Sequence, residues 1–425
     1  MVKHRKIKPK DNATDNDNSY NESHFVGKSN NSIVILIFAL GFSIIILSVI
    51  SVIFPGLLLS ISGNGEFLNP FEINSVGVIL IIVSILVILL IILNSKKLLP
   101  STFTGSIKKI QESDLSKKNS LVFLIIILAI YISISANELS MNEGSQYGDF
   151  VIVEEALKIW PDGESDNVYV TEQLNRHVRI ALLVASDEIF DNIKIIPYFA
   201  SISLIIITYF LTIKLSQKNF AGLIAVVILL QSSTFLTYDT IAVYENFWVL
   251  FYVLTIYLIF QRPDISSVSY LLSIFSKAIT VLMLPITIIV TLLSDIPSNK
   301  KVFVVITHVV ILLVSIGIFQ VSNTIYGNVI EINASEFLTG FSTLAFNLRF
   351  DVFLLLFLLP VSIVLFLKAR KGNKNAISLM VLMCGTILVT PVLEMMTNFY
   401  FVYPYRYIPL VVFFAMSVGS IFSKK

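Results

Sequence analysis

From Ser32 to Phe422 the chain alternates long apolar runs with short polar breaks. Twelve runs stand out, near 32–54, 75–94, 121–136, 195–213, 220–237, 242–260, 265–276, 278–294, 302–320, 352–368, 376–393 and 407–422. Crossing about 30 Å of hydrocarbon takes roughly 20 apolar residues. Lipid offers backbone groups no partner, so each run is expected to be helical. The pattern therefore predicts an all-α, polytopic transmembrane helical bundle of about 12 helices.

The polar breaks alternate in charge. The breaks at Met1–Lys28, Lys96–Lys118, Lys214–Lys218, Arg262, Lys300–Lys301, Lys368–Lys374 and Lys424–Lys425 hold 23 of the 30 Lys and Arg. The intervening breaks hold the other 7: Lys158, Arg176, Arg179, Lys194, Lys277, Arg349 and Arg406. Basic loops stay in the cytoplasm. The expectation is a multi-pass protein, of the cell membrane, with both termini cytoplasmic. The short run 265–276 needs arbitration, because it and 278–294 would make one helix around Lys277. That choice puts Lys300, Lys301, Lys368, Arg370, Lys371, Lys374, Lys424 and Lys425 outside. The charge rule favours two short segments meeting near Lys277 on the outer side.

Four regions follow. Residues 1–30 are polar and read as a disordered cytoplasmic tail. Residues 31–94 form an appended helix pair, 95–120 a basic cytoplasmic linker, and 121–425 the main membrane body. Inside the body the largest outer loop, 137–194, carries twelve acidic residues. Phe150, Val153 and Leu157 recur at helical spacing after Gly148-Asp149, and Asp is a favoured N-cap. Asn175–Ala185 is a second amphipathic stretch. Both are expected as helices lying on the membrane surface. Asp162–Asn167 reads as a solvated turn.

Composition removes other classes. The chain is 56% hydrophobic with mean hydropathy +0.85, which excludes a soluble domain. The single Cys384 excludes a disulfide framework, and four scattered His give no metal site. No metal, no cofactor and no nucleic acid is expected. Membrane lipids are the surrounding partner.

Asp149 is the leading candidate for chemistry. As a carboxylate at the outer surface it could take a proton from an acceptor hydroxyl; the alternative is a plain N-cap. Glu138, directly after the third crossing, is its rival, or else a solvated helix end. Glu245 sits at the mouth of the sixth crossing, where an acid needs a cavity or a partner. Asp239, six residues earlier, reads as an exposed loop acid. Lys277 lies between two short apolar segments and suits a phosphate, with snorkelling to headgroups as the alternative. Arg406, within Phe399–Tyr407, either forks onto a phosphate or belongs to an aromatic interface belt.

The order of these features over roughly 121–422 resembles the GT-C glycosyltransferases, in particular the dolichyl-phosphate-mannose and lipid A aminoarabinose transferase group. Gly148-Asp149-Phe150-Val151 resembles the family's Asp or Asp-Glu opening a surface helix, with Phe150 in place of the Glu. Ala221–Ala225 and Tyr238–Glu245 resemble two further stretches, with Thr240 in place of an Arg and Tyr244 in place of a Pro. Ser276-Lys277 followed by Leu284-Pro285, and Arg406-Tyr407, complete the series. The Trp-Trp-Asp-Tyr-Gly stretch of oligosaccharyltransferases is missing. The resemblance implies transfer of a monosaccharide from a polyprenyl-phosphate-linked donor to a hydroxyl on a lipid, glycan or protein acceptor. It implies Asp149 as general base, Lys277 and Arg406 as ligands of the donor phosphate, and Glu245 and Glu138 in support. Two other readings stay open: a secondary transporter of a small solute, and a non-catalytic membrane assembly protein.

Overall fold

The computed structural model describes residues 31–63, 69–161, 163–321, 332–397 and 403–423. The tail expected over 1–30, Asp162 of the predicted turn and Phe399–Val402 of the aromatic stretch lie outside the described residues. Every regular element among those described is a helix.

The chain opens with α1 (Asn31–Ile53), the short α2 (Pro55–Ile61) and α3 (Ser75–Ser95), then α4 (Ser101–Glu112) and α5 (Lys117–Ser135). Two 3₁₀ turns, Ala136–Ser140 and Glu143–Ser145, lead to α6 (Phe150–Ile159), α7 (Val168–Leu174) and α8 (His177–Phe190). Next come α9 (Ile195–Ser216), α10 (Asn219–Leu229), α11 (Ser233–Tyr238), α12 (Phe247–Gln261) and α13 (Ser266–Ser276). A 3₁₀ stretch, Ala278–Met283, precedes α14 (Leu284–Leu293) and α15 (Ser298–Val321). The last helices are α16 (Ala334–Leu348), α17 (Val352–Arg370), α18 (Lys374–Thr397) and α19 (Ile408–Ser420).

Seven of these segments are long and apolar enough to cross a membrane, in α1, α3, α5, α9, α15, α17 and α18. Three shorter apolar segments are Asn219–Leu229, Phe247–Gln261 and Ala278–Leu293. Two expected runs are interrupted. The run at 220–237 stops at Leu229 and restarts at Ser233, where the Ser232 hydroxyl caps α11 by accepting from the Phe235 amide at 3.0 Å. The run at 242–260 becomes helical only at Phe247. The split at Lys277 falls where the charge argument puts it, between α13 and the 3₁₀ stretch, with Lys277 itself extended.

α19 is the axis of the core, with every residue but Val418 buried. It packs on α9, α10, α17 and α18. Backbones approach closely where a side chain is missing. A Cβ on Gly419 would lie 2.5 Å from the Ala221 carbonyl oxygen, and one on Gly340 would lie 2.5 Å from the Pro391 Cα. Small residues are how apolar helices gain contact when burial from lipid supplies little drive. α1 sits against α16 and α18, α2 against α16, and α3 against α17. α16 has no counterpart among the expected runs. Its side chains at Phe341, Leu344 and Leu348 are buried at helical spacing.

The 137–194 loop folds as three helices, not two. Ala156, Val170 and Ile180 form a small core of their own, closed by Leu157, Trp160 and Leu174. α6 (Phe150–Ile159) contains Phe150, Val153 and Leu157, the residues whose spacing predicts it. The second stretch falls in α8, which buries Arg179, Ile180 and Leu183 and packs on α9 and α13.

Candidate functional site

The site is built on eight residues with no regular structure, Asp239–Asn246, between α11 and α12. All eight are buried. A buried backbone must find partners for its amides and carbonyls, and here side chains supply them. The Glu143 carboxylate accepts from the Ala242 amide at 2.7 Å and the Val243 amide at 3.1 Å. The Arg179 guanidinium donates to the carbonyls of Val243 at 2.9 Å and Ala242 at 3.3 Å. The same guanidinium pairs with Glu245 at 2.7 Å, with both side chains at most 3% exposed, and also donates to Gln173. Ser201 donates to the Asp239 carbonyl at 2.7 Å. An acid and a base thus grip the segment from opposite sides of its peptide groups.

The rest of the outer loop braces the acid. Lys194 sits 3.8 Å from Glu143 and donates to the carbonyls of Glu138 at 2.5 Å and Met141 at 3.2 Å. Burial pushes the Glu143 carboxyl above the usual range, while the two amides, Lys194 and Arg179 pull it back. Burial likewise pushes the Lys194 ammonium down, against the pull of Glu143, Glu138 and Asp239.

What the gripped segment holds in place is Tyr244. Its hydroxyl donates to Asp149 Oδ2 at 3.0 Å. Its ring stacks on Tyr405, with centroids 4.5 Å apart and planes 19° apart, and meets Tyr147 edge-on at 5.2 Å. Tyr405 in turn carries the cations. Lys277 Nζ lies 3.9 Å from the centre of the Tyr405 ring and 5.7 Å from that of Trp248. The Arg406 guanidinium lies 5.6 Å from the rings of both Tyr403 and Tyr405, and its Nε donates to the Tyr405 hydroxyl at 3.3 Å. Cation–π contact steadies a positive charge without neutralising it. Lys277 makes no ion pair among the described residues; Arg176 and Arg406 are close enough to oppose its charge, and Glu245 is close enough to favour it.

Asp149, Lys277 and Arg406 therefore belong to one run of contacts, although they come from the outer loop, the α13–α14 junction and the turn before α19. Asp149 is not an ordinary N-cap. It precedes α6, but its side chain bonds no amide there and is turned to Tyr244. Glu245 is engaged by Arg179 and also lies close enough to Lys277 to favour its charge. Glu138 is half-buried and accepts from the Thr240 hydroxyl at 2.9 Å, so it holds the segment's start. Asp239 is corrected. It is 1% exposed and accepts from Ser135 at 3.2 Å. Burial pushes its carboxyl up to about 7, with Glu138 adding to the effect and Tyr131 and Ser135 opposing it.

Sequence reasoning missed Glu143, Arg179, Tyr244 and Tyr405. Arg179 carried a signal, as a cation directly before the apolar Ile180–Val184. Glu143 carried none among the twelve acids of its loop. Among the described residues no cluster of His, Cys, Asp and Glu is arranged to hold a metal. No family model, curated protein or solved structure matches the chain. Among the described residues, fold and site define its class only as an all-helical protein with seven membrane-length apolar helices and an aromatic, cationic site beside the Asp149 carboxylate.

Proposed function

We propose that the chain is an inverting membrane glycosyltransferase that uses a polyprenyl-phosphate-linked monosaccharide as donor. One observation carries the reading: a carboxylate and two cations from three distant segments meet around the Tyr244–Tyr405 stack. Asp149 takes the proton of the acceptor hydroxyl as that oxygen bonds the anomeric carbon. The bond from that carbon to the phosphate oxygen breaks, and its electron pair leaves with the phosphate. Charge on the departing phosphate grows along this path, and Lys277 and Arg406 are placed to stabilise it. A monophosphate leaving group needs no more than fixed cations, so no metal enters the scheme.

In this reading the three shorter apolar segments, α13 and α19 complete about 12 crossings around the seven long helices. The 23-to-7 division of basic residues puts both termini in the cytoplasm and the 137–194 loop outside. The non-helical Asp239–Asn246 segment is tolerated at the membrane because protein side chains satisfy its backbone.

The chain has two Trp, so a Trp160→Phe background leaves Trp248, beside Lys277, as the only indole. In nanodiscs, decaprenyl phosphate should change Trp248 fluorescence saturably, and Lys277→Ala should abolish the change. With a panel of polyprenyl-phosphate monosaccharides, Asp149→Asn should bind donor and turn none over. No saturable change with decaprenyl phosphate, or full turnover by Asp149→Asn, would overturn the reading.

A further inference from the structure

A cavity of about 420 Å³ lies between the outer loop and α11, within the usual size of small-molecule sites. It touches neither Lys277 nor Arg406. Its link to the site is Tyr147, which lines it, packs edge-on against Tyr244 and stands two residues before Asp149.

Part of the polar lining is unspent, while Glu143, Lys194, Ser233 and Thr240 are each engaged by protein partners. Among the described residues the Gln146 side-chain amide, the Tyr147 hydroxyl and the Thr237 hydroxyl make no hydrogen bond, and Glu138 uses one of its two carboxylate oxygens, on Thr240. These groups offer donors and acceptors in mixture: an acceptor-only carboxylate, an amide that does both, and two hydroxyls. The one cation in the wall, Lys194, is already engaged by two carbonyls and by Glu143. A phosphate would find no available charge here. Met141, Leu236 and Ile241 form an apolar edge beside the Tyr147 ring.

We infer that this cavity binds a sugar ring, so that the acceptor is a glycan or glycolipid hydroxyl. Many hydroxyls on a ring with apolar C–H faces match mixed hydrogen-bonding groups beside an aromatic and an aliphatic edge. The word acceptor rests on the transferase reading; the binding of a sugar does not.

Saturation-transfer NMR on the full chain in nanodiscs tests it. The probes are methyl α-D-mannopyranoside, methyl α-D-glucopyranoside and methyl β-D-galactopyranoside, with a Ser/Thr tripeptide for comparison. At least one glycoside should bind. Gln146→Ala and Tyr147→Phe, each removing a single hydrogen-bonding group, should each weaken it about tenfold. Lys277→Ala should leave glycoside binding in place while abolishing the decaprenyl phosphate response of Trp248. Absence of binding by every glycoside, or binding indifferent to both cavity variants, overturns the inference. So does binding of the tripeptide in preference to the sugars. Any of these leaves the transferase reading to stand or fall on the phosphate titration.

Discussion

Replacing Arg179 by Met tests the grip on Asp239–Asn246. Arg179 is 1% exposed, and its 2.7 Å partner Glu245 is 3% exposed. Met keeps much of the side-chain length and removes the charge. Glu245 is then left buried and unpaired, which in general costs about 3–5 kcal/mol. The carbonyls of Ala242 and Val243 lose their donor as well. The double change Arg179→Met with Glu245→Met removes both charges. It should recover most of the loss and retain about 1–3 kcal/mol for the orphaned carbonyls. As a control, Lys158→Met breaks the Lys158–Glu154 pair, whose side chains are 69% and 48% exposed, and should cost less than about 1 kcal/mol. The assay is reversible unfolding in mixed micelles, with SDS mole fraction as denaturant and tryptophan fluorescence as signal. Two results refute the reasoning: Arg179→Met within about 1 kcal/mol of the parent, or a double variant no more stable than Arg179→Met alone.

Glu143→Ala should destabilise by about 1–3 kcal/mol for buried amides left without an acceptor, and Glu143→Gln, which keeps one oxygen, by less; the same titration ranks them. Asp239 carries a pH dependence. Its folded carboxyl is raised from 3.8 to about 7, so between those values the folded state holds a proton that the unfolded state has released. Stability therefore falls as pH rises through that window, by up to about 1.4 kcal/mol per unit, and levels off above it. Asp239→Asn should flatten the profile; an unchanged slope would show that Asp239 is not its source. Topology is checked with Asp166→Cys, an exposed position in a chain whose one native thiol, Cys384, is buried. A membrane-impermeant maleimide should label it in intact cells, and labelling only after permeabilisation would reverse the orientation.

Sequence alone determined the helical class, most helix spans and the break at Lys277. Helical hydrogen bonds close within four residues, and a lipid-facing segment has no other way to satisfy its backbone. The apolar runs of α1, α3, α5, α9, α15, α17 and α18 therefore announce themselves locally, as does the 3.6-residue spacing of Phe150, Val153 and Leu157 in α6. The same logic selected Asp149, Lys277 and Arg406, because an ionisable side chain among apolar neighbours is costly wherever it lands. Only the tertiary structure decided what those residues touch. Asp239–Asn246 reads as the end of one apolar run and the start of another, yet it is not helical. Its peptide groups are satisfied by Glu143 and Arg179, which lie 63 to 100 residues away along the chain. Those long-range bonds bury Asp239, turn Glu245 inward to Arg179, and set Tyr244 between the carboxylate of Asp149 and the cations at Tyr405. A hydrogen bond within a helix is visible in a window of a few residues; one that closes over 63 to 100 residues exists only once the helices have packed.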